Sequence, residues 1–107
     1  MTSTTAMSES ELQSNVRNTA RLGGWFVYHT HDARRSDKGF PDLTLVHPIT
    51  GRLIFAELKS SKGRVRAEQT VWLQMLGIRH EAVIWRPEDW HSGAIQALLL
   101  SERSVAA

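Results

Sequence analysis

The chain has 107 residues, 41% of them hydrophobic and 22% charged, which supports one compact domain with one core and excludes a second. It contains no cysteine, so a disulfide framework and a thiolate zinc site are excluded, and any metal must be held by carboxylates or by the five histidines. The formal charge of +2 is unevenly placed: residues 34–66 carry eight basic and three acidic groups, and the remainder is net negative. That segment reads either as a solvated surface or as an electrostatic footprint for a polyanion such as nucleic acid. No apolar run reaches a membrane-spanning length, and the start MTSTTAMSES lacks both the basic head and the apolar stretch of a signal peptide, so an intracellular, cytoplasmic location is expected.

Residues 1–7 are small and polar and read as a tail, leaving a single domain over residues 8–102 and a short tail at 103–107. Ser8 to Glu11 fits a capping box that opens a first helix, which Gly23-Gly24 closes. On a wheel of about 100° per residue, Leu12, Val16 and Ala20 share a face with Glu9, while Glu11 points away. A carboxylate on an apolar face is either still in water at the helix end or aimed at something inside. Trp25 to His29 is aromatic and branched and reads as a buried strand. A polar, Arg-rich loop follows. Leu43 to His47 and Arg52 to Leu58, separated by Pro48-Ile49-Thr50-Gly51, predict an antiparallel hairpin.

After the basic loop SSKGR, the stripe Val65, Trp72, Leu73 and Leu76 predicts a core-facing helix ending at Gly77. Arg66 stands where Ser or Asp is the usual cap, which leaves the helix start open by a few residues. Ala82 to Trp85 reads as a fourth strand, and Pro87 opens a last helix carrying Ile95, Leu98 and Leu99. The order is α-β-β-β-α-β-α. A crossover helix between the third and fourth strands permits them to be parallel, giving an α/β fold with a mixed four-stranded sheet flanked by helices.

The chemistry gathers in the hairpin. If His47 pairs with Arg52, Asp42 faces Glu57 across the strands, on one side of the sheet with Cβ atoms about 5 Å apart, where like charges repel. A hard divalent cation such as Mg²⁺ or Mn²⁺ offsets that repulsion, since it takes carboxylate oxygens and keeps several waters. Lys59 projects from the same face two residues beyond Glu57. Two carboxylates and an ammonium suit phosphodiester hydrolysis, whereas the bland alternative is a salt-bridged strand end. Gln69 interrupts the apolar stripe of its helix, either bonded to a loop backbone or turned toward a site.

The segments GFPDLTLV, RLIFAELKSSKGRVRAEQTVWLQML and VIWRPEDW, taken in order, resemble the VRR-NUC nucleases of the PD-(D/E)xK superfamily, over about Ser8 to Leu100. The resemblance implies a restriction-endonuclease-like core with a divalent metal, Mg²⁺ or Mn²⁺, held by Asp42, Glu57 and the backbone carbonyl of Leu58. It implies Lys59 as the catalytic lysine, Gln69 beside the site, and an acidic residue on the first helix. Glu9 and Glu11 both align there, and the wheel favours Glu9. Tyr28, His29, Arg34, Arg35 and Ser36 resemble the segment that leads into the PD pair, which would touch the scissile phosphate or the DNA backbone. Lys38, Lys62 and Arg64 add phosphate contacts from the basic segment. His29 and His31 have a second reading as zinc ligands. Short stand-alone members of the family resemble viral and bacterial enzymes, some acting as dimers on branched DNA. The expectation is therefore a metal-dependent, structure-selective DNA endonuclease, with Holliday junctions as candidate substrate and a homodimer as the assembly. A sequence-specific restriction-type enzyme and a non-catalytic nucleic-acid-binding protein are the alternatives.

Overall fold

The computed structural model describes residues 6–31 and 37–102. Helix α1 (Glu9–Leu22) starts as its sequence dictates. The Ser8 Oγ accepts from the Glu11 backbone N–H, and the Glu11 carboxylate accepts from the Ser8 N–H. Leu12, Val16 and Ala20 are fully buried, and Met7, ahead of the helix, packs against the same core. Gly23 follows α1 because nothing larger fits. A Cβ there would stand 2.1 Å from the Leu99 carbonyl oxygen, the atom to which the Trp25 indole also donates.

Strands β1 (Phe26–His29), β2 (Leu43–Val46), β3 (Leu53–Leu58) and β4 (Glu81–Trp85) form one sheet in the order β1-β2-β3-β4. The first two pairings are antiparallel and β3 pairs with β4 in parallel, across helix α2 (Ala67–Leu76). The hairpin register is the one expected from the sequence: Val46 faces Leu53, Leu43 faces Ala56, and the His47 N–H donates to the Arg52 carbonyl. Leu43, Leu45, Ile54, Ala56 and Leu58 turn to one face of the sheet and pack with α1 and with α4 (Ala94–Ser101). The opposite face carries Phe55, on which Phe40 from the loop before β2 packs edge to face, and Trp72 from α2 packs edge to face on Phe40 in turn. The sheet lies between two helical layers.

Three expectations need correction. The first strand is not buried throughout. It is an edge strand whose alternate residues Phe26 and Tyr28 are 71% and 58% exposed, because α1 covers only its Val27 and His29 side. Helix α2 faces the sheet without a buried stripe: Val65, Trp72, Leu73 and Leu76 are half-buried, since no second helix flanks α2 on that face among the described residues. The last helix is two, α3 (Pro87–His91) and α4, broken at Gly93, whose φ of +84° lies in the left-handed region that glycine alone adopts freely. At the hairpin's turn end, Arg52 is tied to Glu81 and Glu102, so it is spent on the fold and does not contribute a free charge to the basic segment.

Candidate metal and nucleic-acid site

The site forms at the opposite end of the hairpin, where β1, β2 and β3 open toward α2. Asp42 immediately precedes β2. Its carbonyl accepts from the Thr30 N–H (2.9 Å), and its Oδ2 accepts from the Leu58 backbone N–H (2.8 Å). Those bonds fix the carboxylate against the end of β3, beside the Leu58 main chain. Glu57, facing it, is only 1% exposed. Its Oε2 accepts from the Gln69 Nε2 (2.8 Å) and lies 3.6 Å from the Lys59 Nζ, while its Oε1 is buried without a hydrogen-bond partner among the described residues. Burial, then the charge of Asp42, pushes the Glu57 carboxyl up to about 8, against the pull of Lys59.

Gln69 resolves its two readings by doing both. Its Oε1 accepts from the Arg66 backbone N–H (2.8 Å), closing the first turn of α2 in place of a cap side chain, while its amide nitrogen holds Glu57. This also fixes the helix start at Ala67. Lys59 is 7% exposed, and its backbone N–H donates to the Trp85 carbonyl, continuing the β3–β4 pairing. The loop that follows is latched by a residue given no role at the outset. The Arg86 guanidinium donates from Nη1 to the carbonyls of Ser60 and Gly63 at 2.7 and 2.8 Å. The Glu88 carboxyl lies below its usual value, chiefly through the Ser61 side chain. Lys62 and Arg64 are exposed on this pinned loop. The available signal for Arg86 was its place just before Pro87, a helix-opening residue beside the fourth strand.

Asp42 and Gln69 border a cleft of about 400 Å³ that also reaches His29, His31, Lys38 and Arg66. Partial burial holds the His29 imidazole below its ordinary value, helped by the charges of Arg17 and His31 and opposed by Asp42. Gly39 lets the cleft wall close on α2. Its φ is +90°, and a Cβ would approach the Glu68 backbone to 2.6 Å. The charge of Glu9 adds a small upward push on Glu57, whereas Glu11 is engaged in the capping box. Among the described residues no three His, Asp or Glu side chains form a ready metal cluster. His29 and His31, with ring centroids 6.1 Å apart, likewise lack a third partner of that kind among those residues. Arg34, Arg35 and Ser36 lie outside the described residues.

A profile of the VRR-NUC domain matches residues 2–84. The chain belongs to the VRR-NUC domain family. The Fanconi-associated nuclease 1 homolog of Schizosaccharomyces pombe is 34% identical over 59 residues, which are 55% of this chain and 8% of that much longer protein. A solved VRR_NUC domain protein superposes with a TM-score of 0.65 at 20% identity, covering 89% of this chain and 92% of the other, so the likeness is one of fold. VRR-NUC membership supports a nuclease function, and the fold match covers the mixed sheet and its flanking helices.

Proposed function

We propose that this VRR-NUC domain is a metal-dependent DNA endonuclease that prefers branched substrates, Holliday junctions among them, and works as a homodimer on intracellular DNA. The observation that carries the reading is the buried Glu57 carboxylate facing Asp42, with one oxygen lacking a hydrogen-bond partner among the described residues. A buried carboxylate facing a second, half-buried one is costly unless something neutralises it, and the donor set of two carboxylates beside the Leu58 main chain fits Mg²⁺ or Mn²⁺. Asp42, Glu57 and the Leu58 carbonyl would hold the ion, with Glu9 reaching it from α1. When bound, the ion supplies Lewis-acid polarisation of the scissile phosphate and offsets the charge that develops on it.

The protein groups do the rest. Gln69 holds Glu57 in place through one oxygen, and the other would be available as a metal donor. Lys59, kept from solvent and next to Glu57, orients the attacking water or steadies charge as the phosphate becomes pentacoordinate. His29, Lys38, Lys62 and Arg64 lie around the cleft or on the loop beside Lys59; Lys38, Lys62 and Arg64 would neutralise flanking phosphates, as would Arg34 and Arg35, while His29 and Ser36 would hydrogen-bond to them. A two-fold dimer would set two such sites on the two symmetry-related strands of a junction.

The test uses purified protein with labelled linear, flap, fork and four-way DNA, in Mg²⁺, in Mn²⁺ and in chelator. Cleavage that needs metal and favours the branched molecules supports the reading. Equal cutting of linear and four-way DNA by a monomer would remove the junction preference and the dimer together, and cutting in chelator would remove the metal.

A further inference from the structure

Beside the metal cleft lies a second hollow, of about 290 Å³, walled by Tyr28, Phe40 and Trp72 with Thr30 and Asp37 at its rim. Its aromatic walls are rigid where rigidity matters. The Trp72 indole is fixed by donating to the Lys38 carbonyl (3.1 Å), and the Phe40 ring is wedged edge to face between Phe55 and Trp72, with centroids 5.9 and 5.0 Å away. Tyr28 stands opposite on the edge strand and is more than half exposed, which leaves one aromatic face free. Thr30, Asp37 and Phe40 line the metal cleft as well, so the two spaces share a wall, and whatever occupies the hollow is joined to what sits over Asp42.

We infer that this hollow is a subsite for one unpaired nucleobase of the strand being cut, stacked on Tyr28 and Trp72 next to the scissile phosphate. The inference rests on the nuclease reading and deepens it. Aromatic faces take any base by stacking, provided the base is free of its partner. A phosphate is disfavoured there because the Asp37 carboxylate repels it, whereas a neutral base is not. The polar rim also selects among bases. The Thr30 hydroxyl spends its proton on the Pro41 carbonyl (2.7 Å), so both it and Asp37 present acceptors. Acceptors match the exocyclic amino groups of cytosine, adenine and guanine, whereas thymine offers only its ring N3–H. A requirement for an unpaired base beside the cut would give preference for flap and fork DNA at the level of the single chain, with no second protomer.

The experiment uses the full chain in chelator, where binding is read without cleavage. Blunt duplex, a duplex with a single-stranded flap, and short single strands of dC or dT are titrated by fluorescence anisotropy at fixed salt. Tyr28→Ala should weaken binding of flap and single-stranded DNA about 5- to 100-fold more than binding of duplex, while Tyr28→Phe keeps the wild-type ratio. The unpaired flap base replaced by 2-aminopurine should be quenched on binding wild-type protein and much less on binding Tyr28→Ala. Single-stranded dC should bind more tightly than dT, and Asp37→Asn should narrow the gap. A Tyr28→Ala loss equal on duplex and flap overturns the subsite, as does Tyr28→Phe proving as harmful as the alanine, since a hydroxyl contact and not stacking would then be at work. Wild-type protein that binds none of these DNAs would instead overturn the nuclease reading, and the subsite with it.

Discussion

Replacing Glu57 with glutamine should make the metal-free protein more stable at neutral pH, although it destroys the proposed metal site. In the fold the Glu57 carboxyl is raised from its ordinary value to about 8 by burial and by Asp42. A carboxyl raised on folding contributes fully below its unfolded value near 4.5, and that contribution is lost as pH rises toward 8. Within this window the folded state holds a proton that the unfolded chain has released, at about 1.4 kcal/mol per pH unit. Between pH 5 and pH 7 the wild type should therefore lose up to about 3 kcal/mol relative to a variant without the titration, or on the order of 10 °C in Tm for a domain of this size. Glutamine carries no charge, its amide oxygen can still accept from Gln69, and its NH₂ can donate toward Asp42. The assay is thermal unfolding of wild type and Glu57→Gln in chelator from pH 5 to pH 8.5, followed by addition of Mg²⁺ or Mn²⁺. The variant should have the flatter profile and the higher Tm above neutrality, and the metal should raise the Tm of the wild type only. A variant less stable than wild type at pH 8 in chelator, with the same pH slope, would refute the reasoning, because the pair would then not be a strained one.

Lys59→Ala should reduce turnover far more than metal affinity, read by single-turnover cleavage beside metal titration; unchanged turnover would remove Lys59 from the chemistry. Glu9→Gln should impair metal-dependent cleavage while Glu11→Gln, whose amide still closes the capping box, should cost less than about 1 kcal/mol of stability and little activity. Arg86→Ala frees the carbonyls of Ser60 and Gly63 and should lower stability by about 1–3 kcal/mol in denaturant titration, with cleavage falling further than stability explains because the loop beside Lys59 is no longer held. Gly23→Ala should destabilise by on the order of 2 kcal/mol or more, since its methyl meets the Leu99 carbonyl.

The sequence made the site legible because the hairpin is a local object. A four-residue connection and the period-2 geometry of strands oblige Asp42 to face Glu57 and bring Lys59 to the same side, with no knowledge of the rest of the molecule. The capping box is equally local, and its geometry separates Glu11 from Glu9. What escaped is what depends on partners distant in sequence. Whether Trp25 to His29 is buried depends on its edge position and on α1 covering one side only, and alternation between Phe26, Tyr28 and Val27, His29 does not show which side that is. The double use of Gln69 needs Arg66, three residues before it, and Glu57, twelve residues before it on a different element, at once. The Arg86 latch spans more than twenty residues. The break at Gly93 was visible in principle, as a glycine inside an apolar helical pattern.

The central claim is that Asp42 and Glu57 together bind a divalent cation that the cleavage of DNA requires. Mn²⁺ titration followed by electron paramagnetic resonance, on wild type and on Asp42→Asn, with four-way DNA cleavage read from the same samples, tests it most directly. The expected result is Mn²⁺ uptake and cutting by the wild type, with both lost in Asp42→Asn while its DNA binding is retained or strengthened, because removing a negative charge relieves repulsion from phosphates. Mn²⁺ uptake and cleavage undiminished in Asp42→Asn would contradict it.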